Sequence, residues 1–290
     1  MWGTRFNNRC SNQYSRRGEL KLFESSNNGK GVLRSETYLN TSHQPSEPVG
    51  RDSKINRIAD AVRPLNRRRK PENLLIYGPA GVGKTTCVKH VLDQLEEQTR
   101  VKTVYINCWQ YNTRSSLLTE LLIQLGYPAP RKGKPVDELL AKIREWMDKN
   151  RGVAVALDEF DQLDDHDEII YDLEMMNTDS ENQIGLLMVS NQQPETVEID
   201  PRSRSRLNCQ TLQFKPYNQS KIQEILEDRV EQAFRPGTVP SDTTQKIAEI
   251  VADNSGDLRN ALQLLLRAGR KADREDRKKV EIDMISRNSE

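Results

Sequence analysis

Along the chain, short apolar runs alternate with stretches of helical periodicity. Ser53 to Leu65 places Ile55, Ile58, Ala59 and Val62 on one face, which predicts a helix. A turn signal and the run Asn73 to Gly78 (NLLIYG) follow, and helical patterning resumes through Val88, Val91, Leu92 and Leu95. Further strand-like runs are TVYIN (103–107), GVAVALDE (152–159), QIGLLMVS (183–190) and CQTLQF (209–214), with helical stretches between most of them. Near-continuous apolar strands separated by helices predict a parallel sheet buried on both faces. The expected class is α/β, a doubly wound parallel five-stranded sheet. After Pro216 no strand pattern returns. Helical stretches at about 218–234, 241–253 and 257–272, punctuated by Pro236-Gly237 and Asn254-Ser255-Gly256, predict a small all-helical second domain.

Composition narrows the picture. Residues 1–31 are rich in Asn, Ser, Arg and Gly, with Arg5, Arg9, Arg16 and Arg17 and no acid over residues 1–18. Such a segment cannot bury a core, which predicts a disordered basic arm; an inert tail is the plain alternative. No apolar run approaches the roughly 18–20 residues of a membrane span. The start MWGTRFNNRC has no apolar core of a secretory signal. The four cysteines, Cys10, Cys87, Cys108 and Cys209, form no C-x-x-C pair. This argues against a disulfide framework or zinc cluster and for a reducing, cytoplasmic compartment. With 44 Lys+Arg against 43 Asp+Glu, net charge is +1, so any nucleic-acid contact must come from local patches.

The strongest motif is Gly78-Pro79-Ala80-Gly81-Val82-Gly83-Lys84-Thr85, followed by Thr86. It fits G-x-x-x-x-G-K-[ST] at each fixed position, after a strand and opening a helix. Its glycines let backbone N–H groups close around phosphates, Lys84 reaches the β/γ-phosphates, and the Thr85 hydroxyl ligates Mg²⁺. Asp158 and Glu159 end an apolar strand, where ligands bind in an open α/β sheet. Asp158 is the candidate for the magnesium shell and Glu159 for the general base. Asn191, ending the next strand, is a candidate for orienting the lytic water; an ordinary turn is the alternative. Arg202, Arg204 and Arg206 alternate before the last strand and are candidates for acting on a neighbouring subunit's nucleotide. A solvated basic turn remains the plain alternative. Gly256-Asp257-Leu258-Arg259 opens the last helix and can bring Arg259 over a γ-phosphate.

In this order the elements resemble an AAA+ ATPase, a P-loop core followed by a helical lid. More narrowly they resemble the replication-initiator family of origin recognition complex subunit 1 and cell division control protein 6. The likeness rests on Val32-Leu33, Gly50-Arg51-Asp52, the run Pro71 to Gly78 into the phosphate loop, and Leu157-Asp158-Glu159-Phe160-Asp161. Phe214-Lys215-Pro216-Tyr217, Ile225 to Arg229 and Gly256 to Arg259 complete it.

The resemblance implies ATP/ADP and Mg²⁺ as cofactors and slow, switch-type hydrolysis. Val49, Gly50 and Arg51 would line the adenine side, and Tyr217 and Arg229 would reach the nucleotide from the lid. Asn191 and Arg259 would be the two sensors, and Arg206 the first choice for a finger acting in trans. It implies a core over 32–215, a lid over 216–285 and a tail over 286–290. An insert at about 108–152 would touch duplex DNA through Arg114, Arg131, Lys132 and Lys134. Family members continue into a winged-helix domain, which would begin where this sequence stops at Glu290. Expected partners are double-stranded DNA, held weakly without that domain, and other initiator subunits or a replicative helicase, in the cytoplasm at the nucleoid. No membrane partner is expected. The competing reading is a DNA-independent regulatory or transposition-helper ATPase.

Overall fold

The computed structural model describes residues 31–41, 43–45, 48–130, 133–179, 182–197, 200 and 207–285. The basic arm (Gly31 apart), the tail 286–290, Arg131, Lys132, Arg202, Arg204 and Arg206 lie outside them.

Five strands form where the apolar runs predicted them: β1 (Leu74–Tyr77), β2 (Lys102–Asn107), β3 (Val153–Asp158), β4 (Ile184–Ser190) and β5 (Gln210–Gln213). They pair in the order β2-β3-β4-β1-β5, each neighbouring pair parallel. Every residue of β3 and β4 is buried, as central strands require, whereas edge strand β5 buries only Leu212. Alternate residues feed two cores. Val153, Val155 and Leu157 pack with α3 (Arg114–Gln124), α4 (Val136–Met147) and α5 (His166–Asp179). Ala154 and Ala156 pack with α1 (Asp52–Val62) and α2 (Lys84–Gln98) on the other face. This two-sided cover is the doubly wound arrangement. The stretch 108–152 is no appendage, because Leu117, Leu118 and Leu121 of α3 and Leu139, Ile143 and Met147 of α4 are fully buried in the first core.

The lid comprises α6 (Gln219–Ala233), α7 (Ser241–Asn254) and α8 (Leu258–Arg274) around a third core. The segment expected to open the sheet domain packs here. Leu33 pairs antiparallel with Phe234, Val32 N–H donates to Asp273 Oδ1 at 2.5 Å, and Val32 and Leu39 are buried in the lid core. Arg270 donates to both oxygens of Glu36, and that hydrogen bond holds the Glu36 carboxyl below its usual range. The apolar faces of Val32 and Leu39 find their partner on the lid, which pattern reading along the chain could not reveal.

One buried amide registers the sheet. Asn73 Oδ1 accepts from Leu186 N–H at 3.0 Å, while Nδ2 donates to Leu207 O at 2.9 Å and Glu174 Oε1 at 2.8 Å. It thus ties the starts of β1, β4 and β5. Asn73→Ala should cost about 2–4 kcal/mol, because it strands a buried N–H and a buried carbonyl. Urea unfolding measures this. A loss below about 0.5 kcal/mol would show that water satisfies both groups.

Candidate functional site

The loop from Gly78 to Gly83 leaves β1 and turns into α2 at Lys84, the context a phosphate-binding loop requires. Gly81 has φ +72, and a Cβ there would lie 1.6 Å from Asp257 Oδ1 of the lid. A Cβ at Gly83, φ +89, would lie 2.8 Å from the Tyr217 hydroxyl. These two glycines are therefore needed both for backbone sign and for the close approach of the lid.

Lys84 is buried. Its Nζ donates to Gly78 O (2.7 Å), Pro79 O (2.8 Å) and Asn191 Oδ1 (2.9 Å). Burial lowers its pKa to about 8; the charge of Asp158 opposes the shift and that of Arg259 adds to it. Thr85 Oγ1 donates to Asp158 Oδ2 at 2.9 Å, and the Tyr105 hydroxyl donates to the same oxygen at 2.5 Å. Burial, then the Asp158 charge, pushes the Tyr105 phenol well up, so it stays a donor. Glu159 follows with φ 55 and ψ 43, a left-handed conformation uncommon for a non-glycine residue, and its side chain lines the cleft. Asn191 N–H donates to Asp161 Oδ1 at 3.1 Å. Burial pushes the Asp161 carboxyl up, but hydrogen bonds from Gln162, Ser190 and Asn191 outweigh it and hold the group low.

The lid supplies the other wall. Leu258 N–H, at the start of α8, donates to Gly81 O at 3.3 Å, and Asp257 Oδ1 caps Arg259 N–H at 2.8 Å. Arg259, Arg229, Tyr217 and Val49 all line the same cleft of ≈ 270 Å³ as Gly81, Val82, Gly83, Lys84, Thr85, Thr86, Asp158, Glu159 and Asn191. Arg229 is buried, its Nε finds no hydrogen-bond partner, and burial lowers its pKa. No group of three or more His, Cys, Asp or Glu among the described residues could hold a metal alone. A divalent ion here would need ligand oxygens beside Thr85 and Asp158.

Several expected positions behave differently. Arg51 does not line the cleft. Its Nη2 donates to Val82 O (2.8 Å) and Lys215 O (2.9 Å), and its guanidinium stacks 3.8 Å from the Tyr217 ring centroid. It braces the loop from behind: one guanidinium nitrogen donates to both carbonyls while the planar group lies on an aromatic face. Gly50, beside it, makes room for the Lys221 side chain rather than the cleft. Arg114 is committed to Asp172, with Nε at 2.7 Å and Nη2 at 2.8 Å from the two oxygens, joining α3 to α5. Lys134 pairs with Glu138 at the start of α4. Both of these DNA-contact candidates thus have an acidic partner within the chain. Tyr105 and His43, the latter on the cleft lining, were not marked by any motif, and Asp161 entered only through the family likeness, with no role given. Tyr105 in particular lies in an ordinary strand pattern, and only the pairing of β2 with β3 puts it beside Asp158.

Replacing Arg51 by Met should lower stability by about 2–3 kcal/mol, since a buried and a part-buried carbonyl lose their charged donor. Thermal unfolding checks it, and Arg51→Lys should recover less than half. Full recovery by lysine would show that charge, not the planar stacking on Tyr217, matters.

Residues 67–197 match the AAA domain model, and residues 223–290 match the Cdc6 AAA+ ATPase-type lid domain. An ORC1-type DNA replication protein of Pyrococcus abyssi is 32% identical over 273 residues, covering 90% of this chain and 65% of the relative. The ORC1-type DNA replication protein 1 of Methanosarcina acetivorans is 32% identical over 277 residues, covering 93% of this chain and 67% of the relative. The chain thus spans about two thirds of the curated relatives it matches. Among solved structures, the Aeropyrum pernix ORC1 protein in complex with DNA superposes with a TM-score of 0.78 at 28% identity, over 88% of this chain and 68% of that one. With an AAA+ core, a Cdc6-type lid and this identity across nearly its whole length, the chain belongs to the ORC1-type DNA replication protein family.

Proposed function

We propose that this chain is an ATP-driven switch of the replication-initiator type, which binds ATP with Mg²⁺ between core and lid, hydrolyses it slowly and binds duplex DNA. The observation that carries the nucleotide part is convergence. Lys84, Thr85, Asp158, Glu159 and Asn191, from the ends of three strands, face Arg229 and Arg259 of the lid across one cleft. The residues fit a polyphosphate. Lys84 is satisfied only by neutral acceptors, and the buried Arg229 Nε lacks a partner; both would gain from anionic oxygens.

In this reading Lys84 holds the β/γ-phosphates. Thr85 and Asp158 would hold the magnesium, which neutralises developing charge on the phosphate oxygens when bound. Tyr105 keeps the Asp158 carboxylate aimed at Thr85. Glu159 takes the proton of the attacking water, and Asn191 and Arg259 read the γ-phosphate. Tyr217 and Arg229 carry its presence to the lid, and Val49 walls the base side. Arg206 remains our choice for a finger acting on a neighbouring chain, with Arg202 and Arg204 as rivals, which would keep turnover slow in an isolated chain. We place the core at 32–215 and the lid at 216–285, with residues 32–39 packed on the lid. The site of action is the chromosome, with other initiator subunits or a helicase as partners.

A second reading, a regulatory ATPase that does not touch DNA, is favoured by one observation: Arg114 and Lys134 are both held in intramolecular ion pairs. A duplex titration with and without ATP separates the two.

Glu159→Gln should bind ATP as the parent does and hydrolyse it on the order of 10²-fold more slowly or worse. Calorimetry and phosphate release measure the two quantities. A parallel loss of binding would make Glu159 structural.

The pH dependence follows from Lys84. Its pKa in the ligand-free chain lies near 8, below the ordinary lysine value. Phosphates favour the protonated form, so above pH 8 binding must take up a proton. ATP affinity should be flat from pH 6.5 to 7.5 and then fall, approaching tenfold per pH unit above about pH 8.5. An unchanged dissociation constant up to pH 9.5 would remove Lys84 from the phosphates, and Lys84→Ala should abolish measurable binding.

A further inference from the structure

The nucleotide cleft occupies the C-terminal end of the sheet. The opposite end carries the run Arg67-Arg68-Arg69-Lys70, between the 3-10 turn Arg63–Arg67 and β1. Its backbone is fixed: Arg68 N–H donates to Leu65 O at 3.0 Å, Arg69 N–H to Pro64 O at 3.1 Å, and Arg68 sits in the left-handed region at φ 53. All four side chains are exposed. Arg67, Arg68 and Arg69 make no ion pair among the described residues, whereas their neighbours do: Arg63 pairs with Asp60 and Arg57 with Glu72. Glu174, whose carboxylate feels the Lys70 charge, already accepts from Asn73.

The sheet register extends this patch. Lys102 is level with Val153, and Val153 with Ile184. Pro71 packs against Gly185, its ring carbons 3.1 Å from where a Cβ would be. The residues just before these strands therefore emerge on one edge, adding the exposed Arg100 and Arg151 to the four-cation turn. From β2 to β1 is three strand spacings, about 15 Å. That length of B-DNA axis carries roughly four phosphates on each strand, at about 3.4 Å each.

We propose that this N-terminal edge of the sheet binds the phosphodiester backbone of duplex DNA without reading its sequence. The inference rests on the DNA-binding reading above, and adds a surface on which Arg67, Arg68 and Arg69 make no ion pair among the described residues. An anionic membrane surface is disfavoured by the neighbourhood. The large exposed hydrophobic residues among those described are Trp109, Tyr171 and Ile282. They follow the far end of β2, sit within α5 and lie in the lid, so no apolar anchor accompanies the cations. Because nucleotide and DNA would occupy opposite ends of the strands, both can be bound at once.

The test uses the full chain carrying Arg67→Gln, Arg68→Asn, Arg69→Gln and Lys70→Gln, with Asn chosen to tolerate the left-handed backbone. ADP affinity and melting temperature should match the parent. With 30-base-pair duplexes of two unrelated sequences, the slope of log K against log salt should flatten by about 3 to 4. Affinity at 0.1 M salt should drop at least 100-fold, equally for both. A control replacing four lid cations, Lys246, Arg274, Lys278 and Lys279, by Gln should keep the parental slope. Equal loss in the control would overturn the assignment to this edge. A parent that binds DNA and a variant that binds it identically would overturn this inference alone. A parent that ignores DNA at 50 mM salt, including one that binds phosphatidylserine vesicles instead, would overturn both it and the DNA-binding reading.

Discussion

The Arg51 guanidinium holds the junction on which the site depends. One planar group bonds a carbonyl of the phosphate loop, Val82 O, and a carbonyl at the exit of the sheet, Lys215 O, and lies on the first aromatic residue of the lid, Tyr217. Around it the lid touches the loop directly, through Leu258 N–H on Gly81 O and Asp257 against the Gly81 α-carbon. The loop conformation and the lid position are therefore linked. A change in what the loop holds must strain these contacts or move the lid, which is the mechanical requirement for a nucleotide switch.

The electrostatics have the same logic. Lys84, Arg229 and Arg259 converge on a cleft where the carboxylates of Asp158 and Asp161 are already engaged, by Thr85 and Tyr105 in one case and by Asn191 N–H in the other. Burial then works against the lysine charge, and the Arg259 charge adds to the effect. The cleft lining thus holds more cations than carboxylates, an imbalance that a polyphosphate relieves and a neutral ligand does not.

The segment before α1 joins the two halves. Residues 32–39 pack on α6 and α8, Thr41, His43, Pro45 and Val49 line the cleft, and Arg51 stands at the N-cap position of α1. His43 faces Arg229 there, and burial together with that charge lowers its pKa. One short stretch of chain is therefore part of the lid, the cleft wall and the core.

How much of this was legible in the sequence depends on the range of the forces involved. Strand positions, the lid helices and the roles suggested for Lys84, Thr85 and Asp158 rest on local patterns: apolar runs, turn residues and a motif whose spacing is set by backbone geometry. Glycines in that motif could be assigned to a phosphate loop because few other structures need them in that order. What the sequence could not tell was which distant groups meet. Tyr105 reaches Asp158 only because β2 pairs with β3, Val32 and Leu39 are buried by the lid rather than the sheet, and Arg51 turns away from the cleft to bridge two carbonyls. Arg114 reads as a free cation until α5 brings Asp172 to it, while Arg67, Arg68 and Arg69 stay exposed with no ion pair among the described residues. The chain alone determined which residues carry charge and where elements begin. Pairing across the sheet and the docking of the lid decided which of those charges are spent inside the molecule and which remain for a ligand.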